Sequence, residues 1–189
     1  MTGHTSSVNS LAILPDQSIV SGSNDFSLKI WSLNKDNKKS LIRTLTGHTD
    51  FVTTVVVLKD GKRLASAGHD TNILIWNVTN GEVIRNLTGN SRQIQCLGVL
   101  NENTIISSSW DETLKIWNVN TGEMVKKIRV DDWFRAFVVL DENRLVSARA
   151  YGMWIWNMTD WSQIKKIISI NVLLLLFLYK YSGVSVFVP

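Results

Sequence analysis

Short apolar runs separated by polar turn residues cover most of the chain. One example reads QIQCLGVL, TIISSS, TLKIWNV and EMVKKIRV, and the triplets NEN, WDE and NTG separate these runs. Such runs, rich in Val, Ile, Leu and Trp and bounded by Asn, Asp and Gly, are typical of β-strands joined by hairpins. Residues 1–160 carry no long stretch with the three-to-four spacing of an amphipathic helix. The pattern therefore predicts an all-β protein of short antiparallel strands.

The strand pattern repeats along the chain. Three segments align without gaps, SGSNDFSLKIW, SAGHDTNILIW and SSSWDETLKIW, and a fourth, SARAYGMWIW, is one residue shorter. The tryptophans that end them lie 45, 41 and 39 residues apart. A repeat of about 40 residues indicates stacked units that bury their faces against one another. Each unit is predicted to be one four-stranded sheet, and apolar residues on both faces of strands such as VTTVVVL indicate cover on both sides.

These residues resemble the WD-repeat β-propeller family over about residues 2–168. The family places Gly-His before the first strand, Ser in the second, Asp in the turn to the third, and Trp at the end of the third. The first repeat begins with Gly3 and His4, and the second with Gly47 and His48. The resemblance implies that a chain of hydrogen bonds joins the conserved side chains inside each sheet, or blade. These side chains are His4, Ser21, Asp25 and Trp31 in blade one, and His48, Ser66, Asp70 and Trp76 in blade two.

The match to the family weakens toward the C-terminus. Blade three has Asn90 where His would stand, and blade four retains only Ser147 and Trp156 of the network positions and closes its hairpin one residue early. The Asp of the Trp-Asp pair is replaced by Ser or Asn in every repeat. The network residues that remain in blade three are Ser107, Asp111 and Trp117.

The number of repeats is small for a closed propeller. The resemblance divides the chain into four blades at about residues 2–46, 47–88, 89–130 and 131–168. Propellers close with about four to eight blades, and this family commonly has about seven. We therefore expect an open or incomplete arc. Three outcomes stay open: a fragment of a longer propeller, two chains that pair through their open blade faces, and a strained closure of the four blades.

Charge and cysteine content limit the classes of function. Residues 1–160 hold 17 of the 20 Lys and Arg and all 16 Asp and Glu, so most of the net charge of +4 comes from residues 161–189. A nearly neutral body lacks the broad basic face that nucleic-acid binding requires. Cys96 is the only cysteine, which excludes an intrachain disulfide framework and a thiolate metal cluster. These features fit a reducing location, cytoplasmic or nuclear.

The C-terminal tail, residues 169–189, has no counterpart in the other repeats. Its apolar run, 167–179, has 13 residues, fewer than the roughly 20 that a helix needs to span a bilayer. The turn YKYSG favours two strands, Val172 to Leu178 and Val184 to Val188, packed on the open face of blade four. A membrane anchor and a truncated or misjoined gene model are the alternatives.

The chain contains few side chains suited to catalysis. Of its three histidines, His4 and His48 stand at the structural position, and Cys96 lies within an apolar strand. The sequence shows no Gly-rich phosphate loop, no paired metal ligands and no Ser-His-Asp order. We therefore predict a protein that is not an enzyme and that needs no metal and no cofactor.

The resemblance also implies a binding surface for other proteins or peptides. In the family, partners dock on the top surface, formed by the turns before the first strands and the turns between second and third strands. Clustered aromatic and Arg side chains in such turns are typical of interface hot spots. Phe51, Trp133 and Phe134 border apolar strands and fit a core role equally well, whereas Trp110 stands among polar residues, which favours exposure. The predicted contact residues are Asp50, Phe51, Arg92, Asp132 and Trp133 before first strands, and His69, Trp110 and Arg149 at the later turns.

The sequence thus predicts a protein-interaction scaffold or adaptor. The alternative function is a membrane-associated adaptor in which the apolar tail is the anchor and the blades bind the partner.

Overall fold

Four antiparallel sheets of four strands each make up the computed structural model, which describes residues 3–33, 39–130, 134, 136–149 and 152–167 of the 189. Within each sheet the strands follow one another in sequence order. The first two sheets contain β1 (Val8–Ile13), β2 (Ile19–Ser23), β3 (Ser27–Leu33), β4 (Lys39–Thr46), β5 (Val52–Val57), β6 (Arg63–Gly68), β7 (Ile73–Asn77) and β8 (Val83–Leu87). The last two contain β9 (Ile94–Val99), β10 (Thr104–Ser109), β11 (Thr113–Asn118), β12 (Met124–Arg129), β13 (Ala136–Val139), β14 (Arg144–Arg149), β15 (Gly152–Asn157) and β16 (Gln163–Ile167).

Each sheet corresponds to one predicted repeat, so the all-β prediction with four four-stranded blades is confirmed. The run TIISSS is the whole of β10, and the runs around it contain β9, β11 and β12. The shorter hairpin of blade four is also present, because Arg149 pairs with Gly152 across a link of two residues. The alternation of apolar runs and turn residues was therefore sufficient to locate the strands.

Consecutive blades bury their faces against one another. The first strands form the contacts, β1 with β5, β5 with β9, and β9 with β13. Between blades one and two, Val20 and Leu28 belong to the same buried cluster as Val52 and Trp76. An equivalent cluster joins blades two and three, and another joins blades three and four. A sheet with two apolar faces is stable only when neighbouring layers cover it, and the stack supplies this cover.

The described blades form an open arc. Among the residues that the structure describes, no comparable contact joins β13 of blade four to β1 of blade one. On β1, the side chains of Val8 and Ile13 are 47% and 63% exposed. Val52, which takes the place of Val8 in blade two, is fully buried by the preceding blade. In the described part of the chain, therefore, no other blade covers blade one on the side of its first strand.

The predicted strands of the tail, Val172 to Leu178 and Val184 to Val188, lie outside the described residues. Within the described part of the chain, no helix has the length and apolar character to cross a membrane.

Candidate functional site

A chain of hydrogen bonds joins four side chains in blade one. His4 Nδ1 lies 2.7 Å from Asp25 Oδ2, and His4 Nε2 lies 2.7 Å from Ser21 Oγ. Trp31 Nε1 donates to the same Ser21 Oγ at 2.8 Å. Because the carboxylate can only accept, the geometry favours the tautomer with the proton on Nδ1, and Nε2 then accepts from the serine hydroxyl. These hydrogen bonds connect the turn before β1 to β2 and β3.

Blade two repeats this arrangement. His48 Nδ1 lies 2.7 Å from Asp70 Oδ2 and Nε2 lies 2.6 Å from Ser66 Oγ, to which Trp76 Nε1 donates at 2.8 Å. The glycine before each histidine packs under the tryptophan: a Cβ on Gly47 would lie 3.0 Å from the Trp76 ring. The Gly-His pair therefore serves both close packing and the polar network.

The aspartates of these networks are held in the ionised form. Burial raises the pKa of Asp70, but the hydrogen bond and charge interaction with His48 outweigh it. The backbone N–H groups of Thr49 and Asn72 act in the same direction, and the pKa of Asp70 lies below its usual range. The pKa of Asp25 is lowered in the same way, since hydrogen bonds prevail over burial.

Blade three uses a lysine ammonium in place of the imidazole. Lys115 on β11 is fully buried, and its Nζ donates to Asp111 Oδ2 at 2.5 Å, to Thr113 Oγ1 at 2.6 Å and to Asn90 Oδ1 at 2.9 Å. Burial lowers the pKa of Lys115, and Asp111 opposes this effect. Burial raises the pKa of Asp111, but hydrogen bonds from Lys115 and Thr113 outweigh it and lower that pKa to about 2. Trp117 Nε1 still donates to Ser Oγ, here of Ser107 at 2.9 Å.

In blade four, the described residues of the same region combine a hydrogen bond with an aromatic contact. Trp156 Nε1 donates to Ser147 Oγ at 2.8 Å, as in the other blades. Phe134 is fully buried, and its ring centroid lies 5.5 Å from that of Trp156. Phe134 is therefore a core residue, which decides between the two roles that the sequence allowed.

The network aspartates also shape the turns between second and third strands. Phe26, Thr71 and Glu112 directly follow these aspartates and have φ of 68°, 67° and 59°. Residues other than glycine rarely adopt this left-handed backbone conformation. In blade one, Asp25 Oδ1 accepts from the Ser27 N–H at 3.0 Å and from its hydroxyl at 2.6 Å, which holds the turn. One carboxylate thus supports both the buried network and the exposed turn beside it.

The structure brings the predicted contact residues of blades two and three to this end of the arc. The His69 N–H donates to the Phe51 carbonyl at 2.9 Å, and the Trp110 N–H donates to the Gln93 carbonyl at 2.9 Å. The two kinds of turn therefore lie side by side in blades two and three. Phe51 and Trp110 are 37% and 38% exposed. We call this end of the arc the top surface; its described members are Asp50, Phe51, His69, Arg92 and Trp110, of which Asp50 and His69 are half-buried.

The remaining predicted contact residues are described only in part. Asp132 and Trp133 lie outside the described residues. Arg149 is the last residue of β14, and its side chain is likewise not described.

Three aromatic rings form a continuous row on the top surface. The ring centroids of Phe26 and Phe51 are 5.8 Å apart, and those of Phe51 and His69 are 5.1 Å apart. Phe26 is 41% exposed, and its turn in blade one meets the turn before β5 in blade two. We call Phe26, Phe51 and His69 the aromatic row. Sequence reasoning identified two of its members and missed Phe26, although Phe26 directly follows the network aspartate.

Sequence reasoning also missed a contact between the outer strands and the neighbouring blades. Arg43 on β4 donates from Nη1 to the Asn80 carbonyl at 2.8 Å and from Nη2 to the Thr79 carbonyl at 3.0 Å. Both carbonyls belong to the turn between β7 and β8. In β8 and β12 the same register position is occupied by Arg85 and Lys126. The recurrence of a basic residue at this position could have indicated the contact. It becomes visible only when the outer strands are aligned by their pairing register.

Stacked four-stranded blades, each with a Ser–Trp hydrogen bond at the same place, define a repeat protein of the β-propeller class. Residues 1–32, 39–77 and 81–118 match the family model "WD domain, G-beta repeat". These ranges make up more than half of the chain, and the chain belongs to this WD-repeat family.

Similar proteins are found among both sequences and solved structures. A WD repeat-containing protein, pop2 of Schizosaccharomyces pombe, is 39% identical over 98 residues, covering 42% of this chain and 14% of pop2. The small ribosomal subunit protein RACK1y of Oryza sativa subsp. japonica is 36% identical over 88 residues, covering 45% of this chain and 25% of the relative. The structure of U3-55K superposes with a TM-score of 0.77 at 26% identity, covering 86% of this chain and 52% of that one. The matches thus span a quarter or less of these two relatives' length and about half of the solved chain.

Proposed function

We propose that the chain is a non-catalytic scaffold that binds other proteins or peptides through the top surface. The observation that carries this proposal is the exposure of Phe51, Arg92 and Trp110 at the end of the arc where the polar networks hold the turns. Exposed aromatic and Arg side chains on a preorganised backbone lose little entropy on docking and are typical of hot spots. Membership of the WD-repeat family supports the proposal, because its members generally act as interaction scaffolds. By repeat alignment, the proposed surface continues to Asp132, Trp133 and Arg149.

The histidines of blades one and two are better suited to structure than to catalysis. Both ring nitrogens of His4 and of His48 are engaged with an aspartate and a serine of the same blade. An imidazole between an aspartate and a serine also occurs in hydrolase active sites, but there the serine hydroxyl is open to the substrate. Ser21 and Ser66 are instead fully buried, and each hydroxyl oxygen accepts a hydrogen bond from a tryptophan Nε1. We therefore assign these side chains to the fixation of the top turns.

Single substitutions on the top surface test the proposed function. Trp110→Ala and Arg92→Ala each remove an exposed side chain, so we expect weaker partner capture in pull-downs from cell extract with thermal stability nearly unchanged. Asp70→Ala leaves His48 without its acceptor and is expected to destabilise blade two by about 2 kcal/mol. Ile42→Ala, on the exposed side of β4, is the matched control and should capture partners as the natural chain does. An unaltered capture profile in both top-surface variants contradicts the proposal.

The open face of blade one supports a further proposal, pairing of two copies in solution. Val8 and Ile13 on β1 are exposed apolar side chains at positions that the preceding blade covers elsewhere in the arc. Light scattering of the full chain measures this directly. A mass of about twice 21.3 kDa supports pairing, and a monomer at all concentrations contradicts it.

We also propose that the protein is located in the cytoplasm, with the nucleus as the alternative. Similarity to a ribosomal-subunit protein supports the cytoplasmic location.

A further inference from the structure

We propose that the outer strands of blades three and four bind the surface of a membrane that contains anionic lipids. These strands are β12 and β16, each the last strand of its sheet, with no further strand paired beyond it in the described part of the chain. They are separate from the top surface, so the inference does not rest on the proposed function. We call their basic residues the basic edge; they are Lys126, Lys127, Arg129, Lys165 and Lys166.

Charge is unevenly distributed over the blades, although residues 1–160 are nearly neutral in sum. The four outer strands β4, β8, β12 and β16 hold eight Lys and Arg residues and no Asp or Glu. Five of these eight residues form the basic edge. Glu123 and Asp160 lie in the turns that precede β12 and β16, outside the strands themselves. The basic edge therefore remains positively charged although the blades as a whole are not.

The stacking of blades does not require all of this charge. The outer-strand position that follows Arg43 and its counterparts is uncharged in the first two blades and basic in the last two. Its occupants in blade order are Thr44, Asn86, Lys127 and Lys166. Among the described residues, no carboxylate lies within ion-pair distance of Lys127 or Lys166. Because blades one and two stack without a charge at this position, the lysines of blades three and four need another explanation.

Protection of the sheet edge explains the lysines but not their neighbours. Lysines on an outermost strand prevent it from pairing with other chains. The same strands, however, expose large apolar side chains, which favour association. Met124, Val125 and Ile164 are 45%, 63% and 54% exposed. Basic side chains beside exposed apolar ones are the combination with which interfacial segments bind anionic membranes.

Side chains from both faces of an outermost strand can reach one surface beyond it. Successive residues of a strand point to opposite faces, so Lys126 and Lys127 leave β12 on different sides. A lysine packs its methylene stem against apolar groups and extends its ammonium group toward anionic oxygen atoms. Lys166 is packed in this way, with Nζ 5.3 Å from the centroid of the Trp154 ring. The ammonium groups of both faces can therefore meet lipid phosphates and carboxylates at the same surface.

The sequence that follows β16 has the same character as the basic edge. Residues 169–189 contain one Lys and no Asp or Glu, and the run 167–179 is largely apolar. An apolar segment of this kind is better suited to a lipid surface than to an acidic protein segment. Electrostatic attraction and apolar contact together bind a protein to a membrane more firmly than either does alone. The sequence beside the basic edge therefore favours lipid as its ligand.

Co-sedimentation of the full chain with lipid vesicles tests the inference. We expect binding to vesicles of equal parts phosphatidylserine and phosphatidylcholine, and little binding to phosphatidylcholine alone. Lys127→Gln combined with Lys165→Gln removes two charges of about fivefold each, so binding should weaken about 25-fold. Lys59→Gln combined with Lys62→Gln is the matched control, since it makes the same change of net charge at exposed lysines of blade two. The control should bind as the natural chain does.

A second pair of variants tests the apolar contribution. Val125→Thr combined with Ile164→Thr keeps β-branched side chains but makes them polar, and we expect binding several times weaker. The matched control is Ile42→Thr combined with Ile84→Thr, at the equivalent positions of β4 and β8. This control should leave vesicle binding unchanged.

Several outcomes overturn the inference. They are the absence of binding to phosphatidylserine vesicles, equal binding to phosphatidylcholine alone, and equal losses in the two double lysine variants. If poly-glutamate binds the full chain through Lys127 and Lys165 while vesicles do not bind, the ligand is an acidic protein segment and the inference is wrong. Trp110→Ala should bind vesicles as the natural chain does, so failure of the membrane surface and failure of the proposed function are distinguishable.

Discussion

Lys115 shows how one side chain changes the polar network of a blade. Lys29 of blade one has the same register position, but its Nζ donates to Thr44 Oγ1 at 2.9 Å on the outer strand. In blade one, His4 already fills the space beside the aspartate. In blade three, the shorter Asn90 leaves room for the ammonium, which then satisfies three oxygen atoms. A buried ammonium is tolerated only with such compensation.

Exchange of two residues tests this account of blade three. Lys115→Leu leaves Asp111 buried without its cation, and we expect a loss of roughly 3 kcal/mol in the free energy of unfolding. Adding Asn90→His to Lys115→Leu recreates the pair His48 and Leu74 of blade two, so we expect the double variant to recover most of this loss. Urea denaturation measures both. A double variant no more stable than Lys115→Leu contradicts the account.

The acid response of blade three follows from the same contacts. The pKa of Asp111 is lowered from 3.8 to about 2. A depressed carboxyl pKa stabilises the fold above its unfolded value and loses this contribution as the pH falls through the folded value. We therefore expect roughly 2 kcal/mol of stability to be lost between about pH 4 and pH 2. The unfolding free energy of Asp111→Asn, measured over this range, should depend less on pH; an equally steep dependence argues against the assignment.

Much of the network could be predicted from the sequence, because its residues recur at fixed spacing. Alignment also located the loss of histidine at Asn90. It did not reveal that Lys115 turns inward, since the same Lys at position 29 points to the outer strand. Likewise, Phe51 and Phe134 both border apolar strands, and only the packing of blade four on blade three distinguishes the surface ring from the core ring. These choices depend on the space between elements, which spacing along the chain does not encode.

At the scale of elements, the side chain of Arg43 on the outer strand β4 connects blade one to blade two. The Arg43 guanidinium donates to two carbonyls of the turn between β7 and β8, a planar two-point contact that an ammonium does not reproduce. Close packing accompanies it, since a Cβ on Gly81 would lie 2.5 Å from Arg43 Cδ. Gly122 stands in the same relation to Arg85. The outer strands, although exposed, therefore contribute to the stacking of blades.

Replacement of this arginine tests the role of the outer strand. We expect Arg43→Lys to lower the free energy of unfolding by about 1 kcal/mol, because one cationic hydrogen bond is lost at a partly exposed site. Amide exchange in the turn between β7 and β8 should become faster, which a general loss of charge would not cause. Lys62→Ala, at an exposed lysine of blade two, serves as the control. Unchanged amide exchange in that turn contradicts the proposed role of the Arg43 hydrogen bonds.

At the scale of the whole molecule, stacking places the top turns of blades one to three at one end of the arc. Each blade repeats the same strand order, and in blades one to three a backbone hydrogen bond joins the turn before the first strand to the turn after the second strand. The sequence predicted the blades and their open arc from the number of repeats. It did not predict how the top surfaces of adjacent blades join, because the aromatic row forms between residues 26, 51 and 69, which only the stacking of blades one and two brings together.

Hydrogen–deuterium exchange on a complex of the full chain with a captured partner tests the central claim most directly. Docking on the top surface predicts slower exchange in the turns around residues 5–7, 49–51, 69–72 and 91–93, with β4, β8 and β12 unchanged. Protection confined to those outer strands, with the top turns exchanging as in the free chain, would contradict the proposed function.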